Sequence, residues 1–475
     1  MITLTLAEVA EAVAGELHGA DPQERVTGTV EFDSRKVGPG GLFVAFAGEK
    51  ADGHDFAPAA LAAGAAAVLG TRPLDGVPVI VVADPLAAMA RLARAVLDRL
   101  DVTVVGITGS SGKTTTKDLI GQLLGGLGPT VAPPGTFNNE LGLPYTVLQA
   151  DADTRFLVLE MGARGIGHIK DLCEIAPPSV GVVVNVGVAH IGEFGSVEGI
   201  ATAKSELVQA LPADGLAVLN ADDPRVAAMA AVTPAAVVLA GQAEGADLRA
   251  VDVVLDERGR PSYTLVSGGE SARVELGLTG AHQVGNTLLA AAVAQRCGMA
   301  WSELPGALAR LRALSTRRMD VFDRADGVTV IDDSYNANPA STAAALRALH
   351  TLGGGDGPAG RRTVAVLGYH AELGAAEHDG HAEVGALAAT LGVGLLIVVG
   401  ESAAPILDGA ASVRHWEGES VLVSDQAAAI GVLRERLRAA DVVLVKGSRY
   451  RTWDVVDALR ETRAGVGASN GDGHR

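Results

Sequence analysis

The stretch "VVGITGSSGKTTTKD", residues 104–118, gathers the residue types that hold a phosphate. Gly109 and Gly112 let backbone N–H groups turn toward an anion, with Ser110 and Ser111 between them. A helix opening after Gly112 adds its positive end. Lys113 supplies a mobile charge, and Thr114 or Thr115 can place a hydroxyl on magnesium. The longest form of this motif has a glycine where Ile107 stands, so the loop is the shorter TGxxGKT form that begins at Thr108. A plain glycine turn with a solvated lysine would use the same two glycines. The apolar strand before them and the apolar helix face Leu119, Ile120, Leu123 and Leu124 after them favour the phosphate reading.

Other residues that could do chemistry fall where apolar runs end. Glu160 follows "FLVL", and His190 lies just past "VVVNVG". Singly they read as a surface acid and a loop histidine. Placed together beside a triphosphate, a carboxylate and an imidazole become magnesium ligands. Lys204 lies on a helix that Ser196 can cap, and its spacing alone makes it an exposed lysine. Asp332 and Asp333 close "VTVI" before the polar turn "SYNANP", where a carboxylate could hold a ribose hydroxyl or the turn could simply cap the next helix. Lys446, Ser448 and Arg449 end "DVVLV" in the same way, which implies a groove facing the phosphate loop.

These positions need a scaffold of parallel strands, because ligands of such sheets bind beyond the carboxyl ends of the strands. "VTVVGIT", "FLVLEMG" and "SVGVVVNVG" are β-branched runs, apolar on both faces and separated by helical segments, as a covered parallel sheet requires. Before them, residues 3–17 carry a helical pattern, and a first α/β unit ends near residue 98. From 246 to 279 the period changes to two, which predicts antiparallel strands appended to the sheet. After Arg318 the alternation restarts with "GVTVIDDSYNANP", "RTVAVLGYHAELG", "GLLIVVGE" and "DVVLVKGSR", a second doubly wound unit. The expected division is 1–98, 99–314 and 315–462. The polar, Gly-rich tail 463–475 is expected to be mobile.

Bulk properties narrow the partners. A chain of 475 residues suggests about three domains. Apolar residues at 48% and charged residues at 20% are a globular composition. Lys plus Arg number 38 against 56 Asp plus Glu, and the charge of −18 opposes general attraction to nucleic acid or anionic membrane. Aromatic residues at 3% are too few for base-stacking platforms. Cys173 and Cys297 show no metal-binding or redox spacing and read as reduced core thiols. The first residues lack a signal peptide, and no stretch nears the length of a membrane span, so a cytoplasmic protein is expected. Nothing demands more than a monomer.

The motifs together resemble the Mur ligase family, over about residues 1–460. The matching segments are "DSRKVGPGGLFVAFAGEKADGHDF", "TGSSGKTTTKD", "FNNELGLP", "NVGVAHIGEFGS", "AKSEL", "IDDSYNANP", "AELG" and "VKGSR". "DDSYNANP" is particular to the branch that adds D-alanyl-D-alanine to UDP-N-acetylmuramoyl-tripeptide. The resemblance implies an α/β chain of three domains, with a P-loop ATPase-type central parallel sheet and a C-terminal Rossmann-like domain. It implies an ATP- and Mg2+-dependent peptide synthetase whose partners are those two small molecules. Lys113 would bind the β and γ phosphates, and Thr114 with Glu160 one magnesium. His190 would serve a second magnesium with Lys204, which matches the family's carbamylated lysine. Asn286 would contact adenine, Arg318 the phosphates and Asp333 the ribose. Ser34 and Arg35 lie in the segment that meets the uridine nucleotide; Asn138, Asn139, Lys446, Ser448 and Arg449 would meet substrate.

Several residues depart from the commoner family pattern. Gln283 replaces an asparagine and Arg317 a glycine, Tyr369 and His370 stand where an acid and a methionine are usual, and "RYRTWD" replaces small and apolar residues. Two other readings fit the same motifs: a related ligase with a different amine, and a nucleotide-binding regulator that has lost turnover.

Overall fold

The computed structural model describes residues 1–48, 51–187, 191–355, 360–447 and 451–461. His190, Ser448, Arg449 and the tail 463–475 lie outside the described residues. Among the described residues the strands form a two-stranded ribbon and sheets of five, nine and six strands, each sheet drawn from a separate stretch of chain.

The five-stranded sheet lies within the first 82 residues, in the order Glu16–His18, Val79–Val81, Ala67–Gly70, Leu42–Val44, Val30–Glu31. Its first pair is antiparallel and the rest are parallel. The helix expected over 3–17 is shorter, Leu6–Val13. Thr5 caps its start in a capping box with Glu8, and Ala14 turns left-handed at φ +53°, releasing the chain into the strand Glu16–His18.

In the nine-stranded sheet Thr103–Thr108 stands third from one edge, flanked by Phe156–Glu160 and Val180–Val183, both parallel to it. Both faces of these strands are buried, which is why they read as unbroken apolar runs. Helix Lys113–Gly125 packs on one face through the buried Leu119, Ile120, Leu123 and Leu124, each contributing roughly 1.5–3 kcal/mol by burial. Helix Gln283–Arg296 lies beside it. Further out, Leu248–Leu255 runs parallel to Ala236–Gly241, and Pro261–Ser267 and Glu270–Glu275 then fold back antiparallel. The change of period marks this outer hairpin, which extends the main sheet.

The six-stranded sheet has the order Asp320–Asp323, Thr329–Asp332, Val442–Lys446, Thr363–Leu367, Leu395–Val399, Glu419–Val423. Only the first pair is antiparallel. Register decides which residues reach the same edge. Glu160 pairs with Ile107 and Val183 with Thr108; in the other sheet Asp332 pairs with Val445 and Leu367 with Lys446.

Candidate functional site

The phosphate loop leaves its strand at Thr108 and enters helix Lys113–Gly125 through Gly112 at φ +78°, a conformation open to glycine. A Cβ on Gly112 would also come within 3.1 Å of Asn286 Oδ1. The side chain of Asn185 holds the loop. Its Oδ1 accepts from the amides of Ser110 at 3.0 Å and Ser111 at 2.9 Å, while its Nδ2 donates to Ser111 O at 3.2 Å and Ser111 Oγ at 3.1 Å. Lys113 bends back so that Nζ donates to Gly109 O at 2.7 Å. Burial pulls its pKa down from the ordinary lysine value, Glu160 opposes that, and Arg318 adds to it.

Glu160 is buried at the end of its strand. Its two oxygens accept from Thr114 Oγ1 at 2.9 Å and from Asn138 Nδ2 at 2.8 Å. Thr136 Oγ1 lies 3.1 Å from Thr114 Oγ1, and Arg318 donates to both hydroxyls at 3.3 and 3.2 Å. The carboxylate of Glu160 and the hydroxyls of Thr114 and Thr136 beside a phosphate loop suit a hard divalent cation that also takes oxygens from a nucleotide. Among the described residues no three His, Cys, Asp or Glu side chains converge as a ready-made metal cage. Thr114 and Glu160, with Thr136 and Asn138 around them, therefore form a partial ligand set.

Arg318 reaches this point from the chain that joins the two larger sheets. Its guanidinium lies 4.1 Å from the centre of the Tyr335 ring. The turn "DDSYNANP" fixes that chain: Asp333 Oδ1 accepts from Met319 N at 3.1 Å, and the Tyr335 amide donates to Arg317 O at 3.3 Å. Asp333 also pairs with the buried Lys446, whose Nζ donates to Asn336 O at 3.0 Å. Burial lowers the Lys446 pKa, and Asp333 opposes the shift. Asn338 caps helix Pro339–Leu352, accepting from Ser341 N at 2.8 Å. The turn thus both caps a helix and presents Asp333.

All of this opens into one cleft of about 560 Å³. Residues 110–115, Asn138, Glu160 and Asn286 line it from the nine-stranded side, and Asp333 and Lys446 from the six-stranded side, with Arg318 between. The expected groove is therefore a single space. Several expected residues stand outside its lining. Thr108 is fully buried beneath the loop, and Gly109 offers its carbonyl to Lys113. Asn139 is turned to the start of helix Gly142–Val147, its Oδ1 accepting from Gly142 N at 2.9 Å. Ser34 and Arg35 belong to the first sheet's surface, and the hydrogen bonds from Arg35 hold the Asp33 carboxyl at a pKa of about 2.

Lys204 departs from the expectation drawn from its spacing. It is 5% exposed, in helix Val197–Gln209, which Ser196 caps as anticipated. Burial, and then repulsion from Lys113, push its pKa far below the ordinary lysine value. Asn185, Thr136 and Tyr335 are the members of the site that sequence reasoning missed. The quoted segment "NVGVAHIGEFGS" contains Asn185, but nothing local to it shows a side chain reaching back 75 residues to Ser110.

Comparison with known proteins bears on what this cleft is. Three family models match the chain: "Mur ligase family, catalytic domain" over residues 28–96, "Mur ligase middle domain" over 107–294, and "Mur ligase, glutamate ligase domain" over 317–449. The UDP-N-acetylmuramoyl-tripeptide–D-alanyl-D-alanine ligase of Mycobacterium tuberculosis (strain ATCC 25618 / H37Rv) is 50% identical, covering 94% of this chain and 96% of that protein. The enzyme of the same name from Escherichia coli (strain K12) is 34% identical over 97% of this chain and 99% of its own. Among solved structures, MurF from Acinetobacter baumannii superposes with a TM-score of 0.84 at 29% identity, covering 97% of this chain and 99% of that one. The MurF ligase of Thermotoga maritima in complex with ADP gives 0.78 at 31% identity, over 92% and 98%.

Proposed function

The chain belongs to the Mur ligase family, and from that premise we infer that it joins D-alanyl-D-alanine to UDP-N-acetylmuramoyl-tripeptide at the expense of ATP. The observation that carries the inference is the single cleft, with a phosphate loop and a buried carboxylate on one side and the Asp333–Lys446 pair on the other. Neither rival reading gains support. Tyr369 and His370 turn away from the cleft into their own domain, and the nucleotide-side residues Lys113, Glu160 and Lys204 are all present.

The terminal carboxylate of the tripeptide attacks the γ phosphorus of ATP, ADP leaves, and an acyl phosphate forms. The amine of the dipeptide then attacks the activated carbonyl; phosphate leaves with the electron pair of the broken C–O bond, and the amine loses a proton. Catalysis of this kind is mostly positioning and charge stabilisation. Lys113 swings from Gly109 O onto the β and γ phosphates, and the amide end of helix Lys113–Gly125 faces the same oxygens. Arg318 spans the cleft to the transferred group. Asn286 meets the base and Asp333 the ribose.

Thr114 and Glu160 would hold magnesium, which supplies charge neutralisation to the phosphates when bound. His190 and Lys204 are assigned to a second ion. The depressed pKa of Lys204 favours its neutral amine, the form that adds carbon dioxide to give a carbamate and a proton. That converts a costly buried ammonium into an anion. Residues 1–98 take the UDP end, 99–314 the nucleotide and 315–462 the amine; the three separate sheets support this division. A cytoplasmic monomer completes this reading; among the described residues no helix is long and apolar enough to cross a membrane.

The test is phosphate release from ATP with UDP-N-acetylmuramoyl-tripeptide and a panel of amines. D-alanyl-D-alanine should be the preferred acceptor, and Lys113→Ala should lose about 10²-fold or more in turnover while still binding the UDP substrate. Unchanged ATP turnover in Lys113→Ala would refute the assignment of the loop.

A further inference from the structure

The loop that follows strand Thr363–Leu367 carries Ala371 and Glu372 into the cleft wall. Behind it stand three stacked rings. His370 and His381 lie 4.7 Å apart at 18°, and Tyr369 and His381 5.4 Å apart at 23°. Both histidines are fully buried. His381 Nδ1 lies 2.6 Å from Glu377 O, an atom that can only accept, so the ring proton is on Nδ1. Nε2 is then the acceptor for the His370 amide at 2.9 Å. The Tyr369 hydroxyl donates to Glu377 Oε2 at 2.8 Å, and His370 Nε2 meets Thr342 Oγ1 at 3.2 Å. Burial pushes His370 down to about 3, with help from His381 and Lys446. Burial also lowers His381, against Glu377. Both rings are therefore neutral near pH 7, as the acceptor role of Nε2 requires.

In front of the rings the same loop touches the nucleotide domain. Gly192 N donates to Glu372 O at 3.2 Å. Gly192 and Gly374 are in such close contact that a Cβ on Gly374 would sit 2.7 Å from Gly192 Cα, and one on Gly192 would sit 2.8 Å from Gly374 N. Glu372 takes a left-handed backbone at φ +67° to make the turn, an unfavourable conformation for a residue with a side chain. Gly192 belongs to the short helix Ile191–Phe194, which begins one residue after His190. The loop is thus anchored at the back by an imidazole and docked at the front on the segment beside the assigned metal residue.

We propose that His381 is a positioning residue for the acceptor half of the ligation: through the His370 amide it sets the loop 370–374, which docks on Gly192 and closes the amine side of the cleft. It touches no substrate itself. The proposal rests on the ligase reading above.

The test uses the full-length enzyme and three variants. His381→Ala should lower kcat/KM for D-alanyl-D-alanine by about tenfold or more while ADP affinity stays within about twofold, since only the acceptor wall moves. His381→Gln, whose side-chain oxygen can reach the position of Nε2, should restore most of that loss. Gly374→Ala alters no ring and obstructs the docking, at an added backbone cost because Gly374 is left-handed at φ +55°; with its melting temperature measured alongside, it should reproduce the split even where His381→Ala fails to fold. Wild-type kinetics in Gly374→Ala, an equal loss in His381→Gln and His381→Ala, or ADP affinity falling in step with turnover would each overturn the proposal. Failure of the wild-type enzyme to use D-alanyl-D-alanine would sink the ligase reading instead. The docking is then judged by amide hydrogen exchange with ADP bound, where equal protection of segment 370–374 in wild type and Gly374→Ala would refute it.

Discussion

Replacing Asn185 with alanine tests whether the phosphate loop is held in shape before a nucleotide arrives. The side chain makes four hydrogen bonds to the loop, at 3.0, 2.9, 3.2 and 3.1 Å. A typical protein hydrogen bond contributes about 0.5–1.5 kcal/mol net, and the two longer bonds from Nδ2 belong at the lower end. The loop is only partly buried, so water can take over part of what is lost in the free protein. Global stability should therefore drop by only about 1 kcal/mol. Nucleotide binding must re-form the whole turn, and a cost of about 2 kcal/mol corresponds to about 30-fold in Kd. Calorimetric titration of ADP with magnesium measures this directly, with the melting temperature as a control for folding. An affinity within about threefold of wild type would show that the loop finds its binding shape without Asn185.

Two further outcomes follow from buried charge. Lys446→Met strands Asp333 without a counter-charge in a buried position and should cost about 3–5 kcal/mol, read from the urea midpoint; adding Asp333→Asn should recover much of it. Lys204 has a folded pKa below its unfolded value of 10.5, so as pH falls the unfolded chain takes up the proton first and the native state is penalised near pH 7. In buffer free of carbon dioxide, Lys204→Met should melt higher than wild type near neutrality, with the gap closing as pH approaches 10.5. A gap that does not change with pH would contradict the sign of that shift.

What could be read from the chain alone was whatever depends on local spacing or on the geometry of parallel sheets. Gly109 to Thr115 are contiguous across the loop and first helical turn, Glu160 and Lys446 end strands and Asp333 follows one, so a register argument brings them to common edges. Side chains whose partners are distant in sequence stayed hidden. Asn185 clamps a loop 75 residues earlier, and Lys204 is buried by tertiary packing that a helical surface pattern does not reveal. Asn139, expected from the resemblance to meet substrate, has its side-chain oxygen on the backbone of the next helix, a contact its motif does not disclose. Tyr369 and His370, which depart from the commoner pattern, pack behind the loop that lines the cleft, a placement the sequence alone does not disclose.

The departures at Arg317 and Trp453 meet each other in the folded chain. Arg317 stands where glycine is commoner and has φ +63°, which costs a residue with a Cβ about 1 kcal/mol. Its guanidinium lies 5.0 Å from the centre of the Trp453 ring and 3.2 Å from Asp457, and a cation over an exposed ring returns about 0.5–1 kcal/mol. The contact offsets much of that backbone cost. The joint beside Arg318 is thereby tied to the helix Trp453–Glu461, and a glycine at 317 would cut both of its fastenings at once.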